Sequence, residues 1–426
     1  MSLKKSKKPY TVEHLNAWRM HSQWLDRPFK GRNLLDLVRS VGWIHSPGCS
    51  SPYLSLWARS AKFRPASLDR LVFKEQKLVR LETLRGCTML VPREHAPIAL
   101  RVRNRTFTDL AREARALLPI NEKELDQLKR AVIRTMEGGL TIRTEIRDAV
   151  PSHLVRDFPL RLKRIGLTES VSLAIRLLEE GGRIVKVQSI KQLNSSDYTY
   201  QLLSNVLPEV DPFELKTEIA NIELARLYFR SEGPARIKDF AWWAGINMTD
   251  AVRAAEAVQP GLEPIKVAHS KDEFFLSGSD LEEFADFTLD DSTVNLIPYR
   301  DIYLKGQREV VDRYVSSDHS DKPFTRWRGK LMNDPIATVI RNGQVVGVWE
   351  WDSKAQGTLN FELFEKGIAK ADLGRISKRA AELGRFIRKN LKDGRLQGTD
   401  SNRQMTRISD LKTYWGQGAE ADVPAV

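Results

Sequence analysis

The sequence predicts an α+β chain, mainly α, built from three small helical units in tandem and a β-rich C-terminal part that carries a basic helix. Three observations lead there. A run of apolar-striped helices closed by a short two-stranded hairpin occurs three times. Two of those units superpose at an offset of 94 residues, which pairs Gly139 with Gly233, Glu145 with Asp239 and Ile146 with Phe240. After Asp291 the helical periodicity gives way to alternating apolar residues around Asn342-Gly343, a dipeptide that favours a two-residue hairpin turn. Helices followed by a hairpin make a winged helix, and repetition of one such unit argues for an array of small cores rather than one large core.

The elements follow in order. Residues 1–11 form a basic arm whose MSLKKSKK lacks the apolar stretch of a signal peptide. The first unit, 12–118, has two helical patterns over 12–41 ending at Gly42, a further one over 67–75, and strands around Arg85-Gly86 within Leu78 to Pro92. In the second, 119–212, a charged helix from Asn121 to Met136 precedes one that Thr141 is placed to cap, with Glu145 in its first turn. A helix over Thr168 to Glu180 stops at Gly181-Gly182, and Arg183 to Ser189 with Asp197 to Leu203 supply the hairpin. The third, 213–290, repeats the pattern from Glu232 to Ile246 and closes with strands at Pro264 to Val267 and Glu273 to Ser277. Each unit is expected to own its core, so that the first three fold without 291–426. In that last part a helix from about Lys370 to Lys392 sets Leu373, Ile376, Ala380, Leu383, Phe386 and Ile387 against Arg375, Lys378, Arg379, Arg385, Arg388 and Lys389. The final thirty residues read as a loose polar tail.

Composition narrows the partners. Lys plus Arg number 68 against 55 for Asp plus Glu, a surplus of 13 that favours a polyanion such as nucleic acid. Cys49 and Cys87 are too few for a disulfide framework or a cysteine-rich zinc site, which fits a reducing cytoplasm. There is no apolar run of the ~18 residues a membrane span needs. Phosphate-loop, HExxH, GxSxG and paired CxxC motifs are missing, so nucleotide hydrolysis, zinc hydrolysis and triad esterase chemistry have no support. His14 and His21 share a helical face without a carboxylate neighbour and read as packing or surface residues.

Several segments carry a resemblance. VGWIHSPGCSSPYLSLWAR, Val41 to Arg59, is an apolar helix end, a Pro/Gly/Ser loop with a lone His45 and a second apolar run. It resembles a stretch near the start of the winged-helix DNA glycosylases of the AlkZ and YcaQ type, where a Gln-x-Gln signature precedes an SPYLSLWAR-like segment. LVRLETLRGCTMLVP looks like that family's LVRxxxxRGTLHLVP, and EGPARIKDFAWWAGI like its third winged-helix opening. PYRDIYLKG is similar to PxFDPYLLG, and VIRNGQVVGVW to ILxDGxVxGxW. The resemblance runs in order over roughly residues 12 to 390. It implies three tandem winged helices, a small C-terminal domain and double-stranded DNA held in a basic channel by a monomer, with no metal and no cofactor.

The resemblance also implies a site. An N7-alkylated purine already carries positive charge and leaves readily, so the enzyme must place a water and stabilise developing oxocarbenium charge. The signature falls on His45, Ser46 and Pro47. His45, with an ordinary pKa near 6.5, can orient water, whereas Pro47 contributes only shape; Ser46 lies between them. Met89 stands where the family commonly has His. Three readings of His45 remain open: a catalytic group, a contact to DNA, or a loop histidine that bonds a backbone carbonyl and holds the turn. Trp43 is a candidate for stacking on a base, and Arg59, Arg85, Arg143, Lys238, Arg375 and Arg379 are candidates for contact with nucleic acid. Asp301 reads as a buried structural carboxylate. Two functions follow: a glycosylase that hydrolyses the N-glycosidic bond of alkylated or bulky purines, interstrand crosslinks among them, or a non-catalytic DNA-binding regulator or lesion-recognition factor with a degenerate motif.

Overall fold

A computed structural model describes residues 9–47, 49–102, 120–163, 166–188, 191–194, 197–211, 213–308, 313–327, 330–352, 357–365, 367–391, 404–405 and 407–415. Most of the expected basic arm, Ser189 of the second hairpin and much of the expected tail lie outside them. The chain is a mixed α/β protein, mainly helical, with several small sheets.

In the first unit α1 (Val12–Ser22) starts at Thr11, whose hydroxyl accepts from the His14 amide. α2 (Leu34–Val41) starts at Asn33 and stops at Gly42, whose φ of +88° suits glycine. Then come β1 (Ile44–His45), α3 (Ser51–Arg59), α4 (Pro65–Asp69, prolonged by one wider turn), β2 (Leu78–Glu82), β3 (Thr88–Pro92) and α5 (Ala96–Arg101). Strand β1 is an addition to the expected hairpin and makes a sheet of order β1-β3-β2.

The second unit comprises α6 (Glu122–Glu137), α7 (Arg143–Ala149), α8 (Ser170–Glu180), β4 (Ile184–Gln188) and β5 (Tyr198–Leu202). Asn121 and Glu124 form a reciprocal cap on α6. Thr141 does not cap α7. Its carbonyl accepts from the Tyr200 amide at 2.8 Å, so sheet pairing has claimed the backbone there, and the helix starts one residue later without a side-chain cap.

The third unit repeats the order with α9 (Thr217–Glu232), α10 (Ile237–Ala244), α11 (Met248–Val258), β6 (Leu262–Ile265) and β7 (Phe274–Ser277). The residues paired by the internal offset agree: Ile146 and Phe240 are fully buried and Glu145 and Asp239 lie in first turns. Beyond them lie β8 (Val294–Ile297), α12 (Ile302–Lys305), β9 (Phe324–Trp327), β10 (Lys330–Pro335), β11 (Thr338–Arg341), β12 (Gln344–Asp352), β13 (Thr358–Leu363), α13 (Lys370–Asn390), β14 (Gln404–Met405) and α14 (Ile408–Trp415). The β11–β12 turn is Asn342-Gly343, with φ of +49° and +83° as a type I′ turn requires. On α13 every residue of the expected stripe is buried except Leu373. The tail expectation fails over 408–415, because Ile408 and Leu411 pack on Ile336 and Val348.

The units do not each own a core. One cluster joins Leu37, Ile44 and Leu54 of the first unit to Leu296, Val339, Trp349 and Ile376 of the C-terminal part. Another joins Trp43, Val79, Leu81 and Val91 to Leu224, Phe229, Phe240 and Trp243 of the third. Alternation along the first hairpin sends Leu78 and Leu90 to one cluster and Val79, Leu81, Met89 and Val91 to the other. Buried on both faces, this hairpin is the centre of the molecule.

Candidate active site

The loop after β1 is fixed from three sides. Strand β1 pairs Ile44 with Leu90 and His45 with Met89, and the Ser46 amide donates to the Thr88 carbonyl at 2.8 Å. Arg80, on β2, donates to the Ser46 carbonyl through Nη2 at 3.0 Å and Nε at 3.3 Å. The Gln188 amide oxygen, turned towards that guanidinium, accepts from it at 3.0 and 3.1 Å. Burial brings the Arg80 pKa down to about 10, against the pull of carboxylates such as Glu179 and Glu82. Further along, the Tyr53 hydroxyl accepts from the Leu193 amide at 2.9 Å, and Ser50 Oγ accepts from Asn194 at 3.4 Å. Residues of the second hairpin thus cover the loop.

Helix α3 reaches across to the C-terminal part. Arg59 donates from Nη1 and Nη2 to both oxygens of Asp301, at 2.9 and 2.7 Å, and Ser55 Oγ donates to the same carboxylate at 2.6 Å. Arg59 and Asp301 side chains are both fully buried. The carboxylate also caps α12 by accepting from the Tyr303 amide at 2.9 Å. Asp301 is therefore the anchor of the segment that carries Arg300 and Lys305.

Those two cations lie close enough to His45 to act on it electrostatically. Arg300 and Lys305 both bond Asp334, the lysine at 2.6 Å. Arg85 joins them from the β2–β3 turn, its guanidinium 3.8 Å above the Trp242 ring. Both arginines adopt the left-handed conformation, φ +51° for Arg85 and +55° for Arg300. For a residue other than glycine that costs on the order of 1 kcal/mol, and such strain concentrates at working sites. Burial opposes ionisation of Asp334, but Lys305 and Arg300 outweigh it and hold the carboxyl at about 2. Burial lowers Lys305 and Arg85.

His45 is 5% exposed. Burial first, then Arg300, Lys305 and Arg85, drive its pKa well below 6.5, with Asp334 pulling the other way. The ring is neutral at pH 7. Its Nδ1 is buried with no hydrogen-bond partner among the described residues. A buried polar atom left unpaired costs roughly 1–3 kcal/mol and calls for an explanation. Three cations around one carboxylate leave a net charge of two beside this neutral ring. Such a site can hold phosphate oxygens and accept a hydrogen bond from water at the imidazole.

The other sequence candidates fare unequally. Ser46 is fully buried, and its Oγ accepts from Arg80 at 3.4 Å. Pro47 is half-buried at the bend. Trp43 is corrected from base stacker to core residue: it is fully buried, 6.2 Å from the Trp243 ring, and its Nε1 donates to His95 at 3.3 Å. Arg59 is corrected too, because its guanidinium is spent on Asp301. Arg143 bonds Thr168 and lies 3.7 Å from Glu169. Lys238 pairs with Asp272 at 2.8 Å and Arg375 with Asp372 at 2.6 Å. Arg379 stacks 3.9 Å over Trp57 and bonds Asn295. Beyond the chain neighbours Ser46 and Pro47, Arg85 is the sequence candidate that acts electrostatically on His45. Arg300, Lys305 and Asp334 escaped the sequence reading, although the first two flank Asp301, which the reading had assigned as a buried carboxylate. Among the described residues no group of three or more His, Cys, Asp or Glu could hold a metal ion, and no helix is long and apolar enough to cross a membrane.

Comparison with known proteins bears on family and fold. Residues 38–386 match the model of the family described as DNA glycosylase AlkZ-like. The solved structure of Streptomyces sahachiroi DNA glycosylase AlkZ is similar, with a TM-score of 0.66 at 19% identity over 88% of this chain and 98% of that one; a likeness at that identity speaks to the fold. No curated protein matches the chain. The chain belongs to the AlkZ-like DNA glycosylase family, which makes it a glycosylase-like, DNA-binding protein of DNA repair.

Proposed function

We propose that the protein is a monofunctional glycosylase acting, as a monomer in the cytoplasm, on N7-alkylated or bulky purines in double-stranded DNA. Its three helix–hairpin units, 12–118, 119–212 and 213–290, are tandem winged helices, and 291–426 is a C-terminal domain that completes the channel. The recurrent order of helices and hairpins supports the tandem arrangement. The observation that carries the catalytic reading is His45 Nδ1, buried and without a hydrogen-bond partner among the described residues, within electrostatic reach of Arg85, Arg300 and Lys305.

In this reading the three cations hold phosphates next to the extruded nucleotide, and neutral His45 accepts a hydrogen bond from the water that attacks C1′. The C1′–N9 bond breaks with its electron pair going to the cationic base, which leaves neutral without a proton, and the water that bonds C1′ gives its proton up to solvent, so a weakly basic imidazole suffices to orient that water. Met89, where the family's pattern has His, is the direct cross-strand partner of His45, and such partners project from the same face of a sheet. An imidazole therefore stands on the family's face, one strand over. Pro47 in place of the second Gln favours the alternative of a DNA-binding protein without turnover.

The test is base release from a duplex with a single N7-methylguanine, read as strand cleavage after mild alkali. His45→Ala should abolish release while leaving duplex affinity within about threefold, because one neutral contact is worth ~1 kcal/mol or less. Exchanging His45 and Pro47 for Gln together with Met89→His should maintain or raise release. Silence of both wild type and this variant on every alkylated duplex would replace the enzyme with the binding protein.

A further inference from the structure

A second basic feature lies away from His45. Between the start of α2 and the α3–α4 connection is a cavity of about 670 Å³, walled by Arg32, Lys62, Arg64, Arg70 and Lys77 with a single carboxylate, Glu75. Arg70 and Lys77 share Glu75, at 2.9 and 3.0 Å. Arg32, Lys62 and Arg64 are exposed and pair with no carboxylate among the described residues. Leu35, Leu37, Phe63 and Leu71 form its floor, so the charges ring an apolar base instead of scattering over a convex surface. A ligand with a ribbon of negative charge and an apolar body fits that lining. The sugar-phosphate backbone is such a ligand.

The groove and His45 lie on opposite faces of the first hairpin: the floor residues Leu35, Leu37, Phe63 and Leu71 cluster with Leu78 and Leu90, whereas His45 is the cross-strand partner of Met89, which clusters with Leu81. We infer that this groove holds phosphates of the bound DNA outside the lesion site, a contact that sets affinity without touching the reacting base. The inference rests on the proposed action on duplex DNA.

The experiment is titration of an undamaged 20-base-pair duplex by fluorescence anisotropy over a series of salt concentrations, for the full chain and for Arg32→Gln/Lys62→Gln/Arg64→Gln. Each lost phosphate contact reduces the slope of log K against log salt by about 0.9. The variant is expected to lose two to three contacts' worth of slope and roughly ten- to a hundredfold in affinity at low salt. Its thermal unfolding should match wild type. A variant slope equal to wild type overturns the groove assignment alone. A loss seen with a single strand of the same length but not with the duplex overturns it as well. A wild type that binds no duplex at low salt overturns the reading of the whole protein, and this inference with it.

Discussion

The first and second units share an order of elements but differ in where their apolar side chains go. In the second, Leu128, Val132, Ile146, Ile175, Ile184 and Tyr200 close on one another. In the first, the hairpin is buried on both faces, against the C-terminal sheet on one side and the third unit on the other. Their mutual contact includes polar bonds, Arg176 to Glu82 at 2.6 Å and Gln188 to Arg80. The unit that carries His45 has no core to itself. Its site residues come from β1, the β2–β3 turn, the two ends of α12 and β10, so only a molecule packed as one piece keeps them in register.

Removing 291–426 is the severest way to break that comparison. It would bare Leu37, Leu54 and Ile44, so the remaining chain should lose cooperative unfolding and be cut by protease in the first unit before the second. A first unit that stayed protected would restore the expectation of separable units. Next is a contrast between two buried sites. Arg59→Ala strands the Asp301 carboxylate and should cost ~3–5 kcal/mol, with base release lost because Arg300 and Lys305 lose their anchor. Ile146→Ala should cost a comparable ~2–5 kcal/mol, yet leave release intact at a temperature where the variant is folded. Equal loss of activity in both variants would mean that the second unit's core supports the site.

Acid sharpens the comparison with a smaller effect. His45 stays neutral in the folded chain well below 6.5, while in the unfolded chain it binds a proton near 6.5. Stability is thus full above about 6.5 and falls as pH drops below it. Half-buried His95, lowered by burial, has the same sign. Base release should be flat from pH 6.5 to 8, and urea melts of His45→Gln should lose part of the acid-side slope. A rate rising through 6.5 would instead give His45 a free imidazole's pKa. Least affected should be Arg143→Ala in the second unit: its side chain is 36% exposed beside Glu169, and such a pair is worth about 0–1 kcal/mol.

How far the sequence could be read depended on how local the cause was. Asn342-Gly343 declares its turn because both residues must take positive φ, and the α13 stripe declares its buried face through helical spacing alone. Ile146 and Phe240 were recoverable because the same unit recurs around them. His45 was visible as a lone polar residue in a loop between apolar runs. Its partners were not, since Arg300, Lys305 and Asp334 lie more than two hundred residues away along the chain. Trp43 and Arg59 were misjudged for the same reason, because burial by the third unit and pairing with Asp301 are set by packing between distant segments. The left-handed backbone at Arg85 and Arg300 has no signature in residues that ordinarily avoid it.

The pairing of His45 with Met89 limits how this loop can vary through evolution or engineering. Side chains alternate across a strand, so a shift of one residue would carry the imidazole from the face shared with Leu81 and Met89 to the opposite one. Residues after Ser46 can be exchanged with graded effects, but one inserted or deleted between Gly42 and His45 switches the histidine out altogether. In this segment length is the inherited quantity, and composition is the adjustable one.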